Sequence, residues 1–398
     1  MARAVVLIGL TSLFTDISAE MVATVLPFYL VFTLGLTPLQ FGLLDGLYQG
    51  AGAIVRIASG FTGDRLRRHK EVAVVGYALS AVSKLGFLAA GTFGGLAALI
   101  ALDRTGKGIR TAPRDALISL TSTQEQLGTS FGVHRALDTT GALLGPLIAF
   151  GLLALAPGRF DAVFVVSFCA ALIGLSILTL FVRNPRRPPE DPQETPVSLR
   201  AAFGLLSGKR FRTLTIVAAV LGLATMSDGF VYLGLQRRLD FEPRYLPLLY
   251  VGTALVYMLL AIPFGRLADR WGRTRVFLCG YGSLLGVYGV LLLPAAGAAG
   301  PAAVVLSLVL LGTYYAATDG VLMALAGALL PPALRGSGLA LLVTGTSTAR
   351  LLASVLFGAT WTAFGFGTAV LSFAVALTSA VAIAALATTR IRAEAAHA

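Results

Sequence analysis

The side chains best equipped for chemistry are ionisable groups set inside long apolar blocks. The first block carries Asp16 and Glu20, four apart and therefore on one face of a helix. The fourth carries a stripe of Asp103, Lys107, Arg110 and Arg114, with Arg104 and Asp115 beside it. The fifth carries His134, Arg135 and Asp138, and single charges stand elsewhere at Asp45, Arg56, Lys84, Asp228, Asp319 and Arg350. A charge in hydrocarbon is costly, so each is a candidate functional group. Burial favours the neutral form of a carboxyl and a neighbouring cation favours its charged form. A buried carboxyl that gains and loses a basic partner would therefore take up and release a proton. Asp16 and Glu20 are the candidates for that role. Lys107 and Arg110 are their natural partners, or else hold an anionic group of a ligand. His134 and Asp138, one turn apart, could relay a proton outward. Structural roles compete for several of these groups. Lys84 suits a packing or snorkelling cation, and Asp103 and Lys107 suit an intrahelical pair. Arg114, Asp115 and Arg135 suit a charge network with the loop after the second block. Asp319, in Thr318-Asp319-Gly320, suits a bond to backbone.

These residues must be positioned by membrane helices. Of the 398 residues 56% are hydrophobic and 13% charged, about half the charge of a soluble domain. The mean hydropathy is +0.82. The apolar residues fall into blocks long enough to cross a core of roughly 30 Å, where the backbone must satisfy itself as helix. The blocks predict twelve spans, at 4–34, 39–62, 72–92, 96–118, 130–156, 160–183, 211–235, 246–265, 276–296, 301–328, 338–362 and 366–389. The first is too long for a secretory h-region and carries two acids, so it reads as a membrane helix. Cys169 and Cys279 lie in separate blocks and suggest neither a metal site nor a disulfide, only small buried residues.

The net charge of +12 does not point to nucleic acid. Arg65, Arg67, Arg68 and Lys70, the basic residues between 183 and 210, then Arg270, Arg273, Arg275 and Arg335 all fall on one side of the membrane if both termini are cytoplasmic. Arg159, Arg237, Arg238 and Arg244 are the exceptions. The segment 184–210, with its RNPRRPPEDPQETP run, reads as a cytoplasmic linker between halves 1–183 and 211–398. No phosphate-binding loop, H-E-x-x-H or G-x-S-x-G pattern is present, which argues against ATP-driven transport and against an enzyme.

The halves share a motif. Gly60-Phe-Thr-Gly-Asp64-Arg65-Leu-Arg-Arg68 follows the second block, and Gly265-Arg-Leu-Ala-Asp269-Arg270-Trp-Gly272-Arg273 follows the eighth. Glycine there would let helices approach, and the aspartate would accept bonds from a helix N-terminus or an arginine. Both copies resemble motif A of the major facilitator superfamily, G-x-L-x-D-R-x-G-R. The first copy departs from it at Thr62 and Arg67. Arg104-Thr-Gly-Lys107-Gly108 is similar to that family's motif B, with Lys for Gln. Gly141-Ala-Leu-Leu-Gly145-Pro146 is similar to its antiporter-associated motif C, with Ala149-Phe150 where a further glycine is expected. The resemblance covers nearly the whole chain.

The resemblance implies an all-helical integral membrane fold of twelve helices in two six-helix halves that work by alternating access. It also implies that helices 1, 4, 7 and 10 line a central cavity, so that Asp16, Glu20, Lys107, Arg110, Asp228 and Asp319 face it. The expectation is a proton-coupled exporter of a small organic molecule, drug-like or a metabolite, in a bacterial-type inner membrane. Such a protein would work as a monomer with no cofactor, no metal and protons as the coupling ion. The rivals are a proton symporter for an organic anion and, from another class, a membrane enzyme or sensor on a transporter scaffold.

Overall fold

The computed structural model describes residues 3–66, 68–123, 126–184, 204–293, 300–331 and 334–396, with the side chains at 54, 56–66, 243 and 388–396 left out of that description. Gly60, Asp64 and Arg65 of the first motif, and Arg56, thus lie outside the described side chains. Among the described residues there is no strand. The long helices are α1 (Arg3–Phe28), α2 (Pro38–Leu66), α3 (His69–Ala89), α4 (Phe93–Leu120), α5 (Leu127–Leu155) and α6 (Phe160–Phe181). After them come α7 (Lys209–Leu239, interrupted at 224–227), α8 (Leu246–Trp271), α9 (Arg273–Leu292), α10 (Gly300–Gly327), α11 (Arg335–Phe364) and α12 (Phe366–Ala396). Ten are long and apolar enough to span a bilayer. The highly charged α4 is not among them.

Three details differ from the sequence reading. First, α7 is not continuous: its segments Lys209–Leu223 and Asp228–Leu239 flank a break. The Tyr288 hydroxyl bridges that break, accepting from the Met226 N–H at 2.7 Å and donating to the Ala224 carbonyl at 3.0 Å. It thereby satisfies backbone groups that lipid could not. Second, the motif after the eighth block is helical, because charge alone does not end a helix. α8 runs through Asp269 and Arg270 and stops only at Gly272, whose φ of +96° suits a residue without Cβ. Third, Cys169 and Cys279 are exposed free thiols, on the outward faces of α6 and α9 instead of in the packed interior.

The chain forms two compact units. One comprises residues 1–36, 47–194 and 242–248, and the other 37–46, 195–241 and 249–398. In the first, α1 packs on α5 and α6, and α3 packs on α4 and α6. In the second, α7 packs on α11 and α12, and α9 packs on α10 and α12. The pairing of helices is the same in both, so the repeat seen in the motif extends to whole bundles. Small residues set the seams. A methyl group on Gly145 of α5 would lie 2.8 Å from the Ile17 carbonyl and 2.9 Å from Glu20 Cβ, and one on Gly141 would strike the Leu13 carbonyl. This pair draws α5 against the stretch of α1 that bears Asp16 and Glu20.

The four arginines that broke the loop asymmetry are each held locally. Arg159 forks onto Asp161 at 2.8–3.2 Å, and Arg244 pairs with Glu242 at 2.8 Å. Arg238 bonds the Val290 and Leu291 carbonyls at the end of α9, and Arg237 sits over the Trp361 ring.

Candidate functional site

In the first unit α1, α3, α4 and α5 bring their ionisable groups together. The Asp16 and Asp138 carboxyls are neighbours, each acting on the other's charge. Arg110 Nη2 stands 3.7 Å from Asp16 Oδ1, and Arg114 Nη1 stands 3.7 Å from Asp138 Oδ1. Arg114 also bonds Asp115 at 3.0 Å, and Arg135 reaches Asp138 at 3.6 Å. The Arg110 guanidinium lies 4.6 Å from the centre of the Tyr77 ring. His134, one turn from Asp138, is buried. The spacing argument joined Asp16 to Glu20, yet the closest carboxyl contact of Asp16 comes from α5. No hydrogen bond or ion pair of the Glu20 side chain appears among the described residues; Glu20 contributes charge beside Lys107 and Arg104.

A second cluster lies farther along α4. Asp103 Oδ1 accepts from Ser80 at 2.5 Å, Ser83 at 3.3 Å and Lys84 at 2.5 Å, and Oδ2 accepts from Arg104 Nε at 2.9 Å. The Arg104 guanidinium is 3.8 Å from the centre of the Tyr48 ring. This corrects two expectations. Asp103 pairs with Lys84 and Arg104 in place of Lys107, because its side chain turns toward α3. Lys84 is 1% exposed and is an ion-pair partner, not a snorkelling cation. Gly108 abuts α2, where an added methyl would lie 2.7 Å from the Gly52 carbonyl. Pro146 is buried within α5.

The second unit is built differently. Asp228 opens the second segment of α7 and accepts from the Tyr315 hydroxyl at 2.6 Å. Tyr314 meets Tyr281 edge to face and Tyr315 at a tilt, with ring centres 5.3 and 5.0 Å apart. Arg350 reaches the Tyr314 hydroxyl at 3.5 Å and is the cation facing Asp319. Asp319 is exposed in mid-helix, a position suited to water and not to lipid; no backbone bond of its carboxylate appears among the described residues. Asp45, in the second unit, accepts from Ser354. In the second motif, Arg273 bonds Asp269 at 3.1 and 3.2 Å and the Ala324 carbonyl of α10 at 3.2 Å. Asp269 therefore accepts from the arginine of its own motif. Gly265, expected at a close approach, faces open space, and Gly272 is the glycine the backbone requires. Arg270 lies in the last turn of α8, and the described Arg68 precedes α3. Sequence reasoning missed Tyr77, Tyr281, Tyr314 and Tyr315. A tyrosine in an apolar block carries no signal that separates it from packing.

A family model described as Major Facilitator Superfamily matches residues 8–253 and 229–397. A relative from Methanocaldococcus jannaschii, described as an MFS-type transporter, is 31% identical over 366 residues, 91% of this chain and 89% of its own length. The chain belongs to the major facilitator superfamily. A Mycobacterium tuberculosis protein is 28% identical over 281 residues, 68% of this chain and 66% of that protein. Among solved structures, a mutant of the nucleoside transporter NupG superposes with a TM-score of 0.81 at 15% identity, covering 97% of this chain and all of that one. A bacterial homologue of the human lysosomal transporter Spinster superposes with a TM-score of 0.74 at 16% identity, covering 97% and 96%. These likenesses establish the fold. The protein is therefore a multi-pass membrane transporter of the superfamily, which carries small-molecule substrates, and not an enzyme.

Proposed function

We propose that this transporter is coupled to protons and that Asp16 and Asp138 are the pair that carries the proton. The observation behind this reading is that the two carboxyls neighbour each other across α1 and α5, each flanked by an arginine. Two neighbouring carboxylates repel each other, so the pair favours holding one proton between them. Arg110 and Arg114, each 3.7 Å from one member, are close enough to stabilise the charge when the proton leaves. His134 lies on the same face as Asp138 and offers a relay. Glu20 is a reserve site for a proton beside Lys107.

In this reading transport proceeds by alternating access between two six-helix halves joined by the segment 184–210. The direction is export of a small organic molecule, in a bacterial-type inner membrane, with both termini cytoplasmic and a monomer sufficient. The motif C resemblance at Gly141, Gly145 and Pro146 supports antiport, and the basic loops support the orientation. Asp228 and Asp319, with Lys107 and Arg110, contact substrate. The Asp269–Arg273 pair acts as a latch between α8, α9 and α10. Nucleoside and peptide transporters among the structural neighbours are consistent with a polar organic substrate.

The test uses energised everted vesicles with internal acid pH followed during addition of organic cations, neutral nucleosides and organic anions. One class should dissipate the gradient with wild type and fail to do so with Asp16→Asn or Asp138→Asn. Full activity in both variants would remove the coupling assignment. A second reading, uptake of an organic anion with protons, is favoured by the half-buried Lys107 and by Arg110. Accumulation of an anion in whole cells, instead of exclusion, would select it.

A further inference from the structure

Four buried polar atoms of the first unit have no hydrogen-bond partner: Ser12 Oγ on α1, Tyr77 Oη on α3, Arg110 Nη1 on α4 and His134 Nδ1 on α5. Their residues are 1%, 2%, 2% and 5% exposed. A buried polar atom left unbonded costs about 1–3 kcal/mol, and native interiors leave few of them. The orphans gather around the Asp16–Asp138 pair. Arg110 pairs with Asp16 and lies over the Tyr77 ring, Ser12 is one turn from Asp16, and His134 is one turn from Asp138. Four helices thus carry unused hydrogen-bonding capacity on residues that neighbour the carboxyl pair or its arginine.

Charge indicates the guest. The groups facing this neighbourhood are Asp16 and Glu20 of α1, Tyr77 and Lys84 of α3, Asp103, Arg104, Lys107, Arg110, Arg114 and Asp115 of α4, and His134, Arg135 and Asp138 of α5. α6, which packs on α1 and α3, adds no charged side chain there. Setting aside the exposed Arg135, five cations face five carboxyls. With one proton shared between Asp16 and Asp138, one positive charge has no counterpart among the described residues. All four orphans can donate, and arginine can only donate. A water would satisfy some of these groups but would leave the charge.

We propose that Arg110, Tyr77, Ser12 and His134 form an internal site for a small monoanion, a halide or a carboxylate, filled when Asp16 and Asp138 share a proton. The anion site stands on the orphaned donors; its dependence on pH rests on the proton-carrying reading. With no proton on the pair, both carboxylates engage the arginines and the charges balance. One shared proton frees one positive charge for the anion. Proton and anion then bind together, and each strengthens the other.

Crystals of the full chain soaked in sodium bromide at acidic and alkaline pH, with bromide located by anomalous scattering, provide the test. At acidic pH a bromide peak is expected within hydrogen-bonding reach of Arg110 and Tyr77, falling several-fold in occupancy at alkaline pH. Tyr77→Phe keeps the ring and removes one donor, and it should lower occupancy several-fold; Arg110→Gln should abolish the peak. Loss of the peak on adding acetate would assign the site to carboxylates, and persistence would assign it to halides. Water at the site at every pH, with no bromide, would overturn the proposal. Bromide bound equally at both pH values would keep the anion site and overturn its link to the carboxyl pair.

Discussion

The two units pair their helices alike but fill the interior with different chemistry. In the first, the polar interior is ionic: Lys84, Arg104, Lys107, Arg110 and Arg114 stand among Asp16, Glu20, Asp103 and Asp138. In the second it is phenolic. Tyr232 bonds Thr253 at 2.8 Å, Tyr288 holds the break in α7, Tyr315 bonds Asp228, and Arg350 is the cation of the interior among the described residues. An ionic interior can trade protons for ion pairs, because each carboxyl has a cation at hand. A phenol stays neutral near physiological pH and offers a donor, an acceptor and a ring face, which suits recognition of a solute. In the proposed reading one bundle pattern serves two tasks: the first unit carries the coupling pair, and the second adds a phenolic surface for recognition.

The contrast can be broken most severely at Asp103. Asp103→Asn leaves Lys84 and Arg104 buried without a carboxylate and should cost about 3–5 kcal/mol, read as a large fall in the thermal midpoint of the detergent-solubilised protein. Lys84→Met leaves the Asp103–Arg104 pair intact and should be milder, which separates loss of charge balance from loss of volume. At the α1–α5 seam, Gly145→Val forces the helices apart. It should cost about 1–3 kcal/mol and abolish proton-coupled flux, since Asp138 then loses Asp16. In the second unit, Tyr288→Phe removes both bonds across the α7 break at nearly constant shape. The expected loss is about 1–3 kcal/mol, with coupling of the surviving folded protein unchanged. The smallest effect belongs to Asp269→Asn, in an exposed i, i+4 pair worth about 0.3–0.5 kcal/mol; its stability should match wild type while transport slows. A fall in stability as large as that of Asp103→Asn would make the pair structural and remove its role as a latch.

The helices were legible because hydropathy blocks in a membrane protein leave little choice, and most ends fall within three residues of their expected places. The broken α7 was not, since 224–227 reads Ala-Thr-Met-Ser with neither proline nor glycine. What holds the break open is a tyrosine far along the chain. Asp16 and Asp138 were both singled out, but spacing on one helix pointed Asp16 at Glu20. Its pairing with Asp138 depends on how closely α5 approaches α1, which Gly141 and Gly145 set in three dimensions. The second-unit tyrosines were invisible for a different reason: an aromatic residue in an apolar block looks like packing until its hydroxyl is seen to have a partner.

The central claim is that Asp16 and Asp138 hold one proton between them, and infrared spectroscopy of the purified protein across a pH titration tests it without knowledge of the substrate. The account predicts a protonated-carboxyl band at neutral pH that shifts in Asp16→Asn and in Asp138→Asn and disappears in the double variant. A double variant whose carboxyl band superimposes on that of wild type would contradict it.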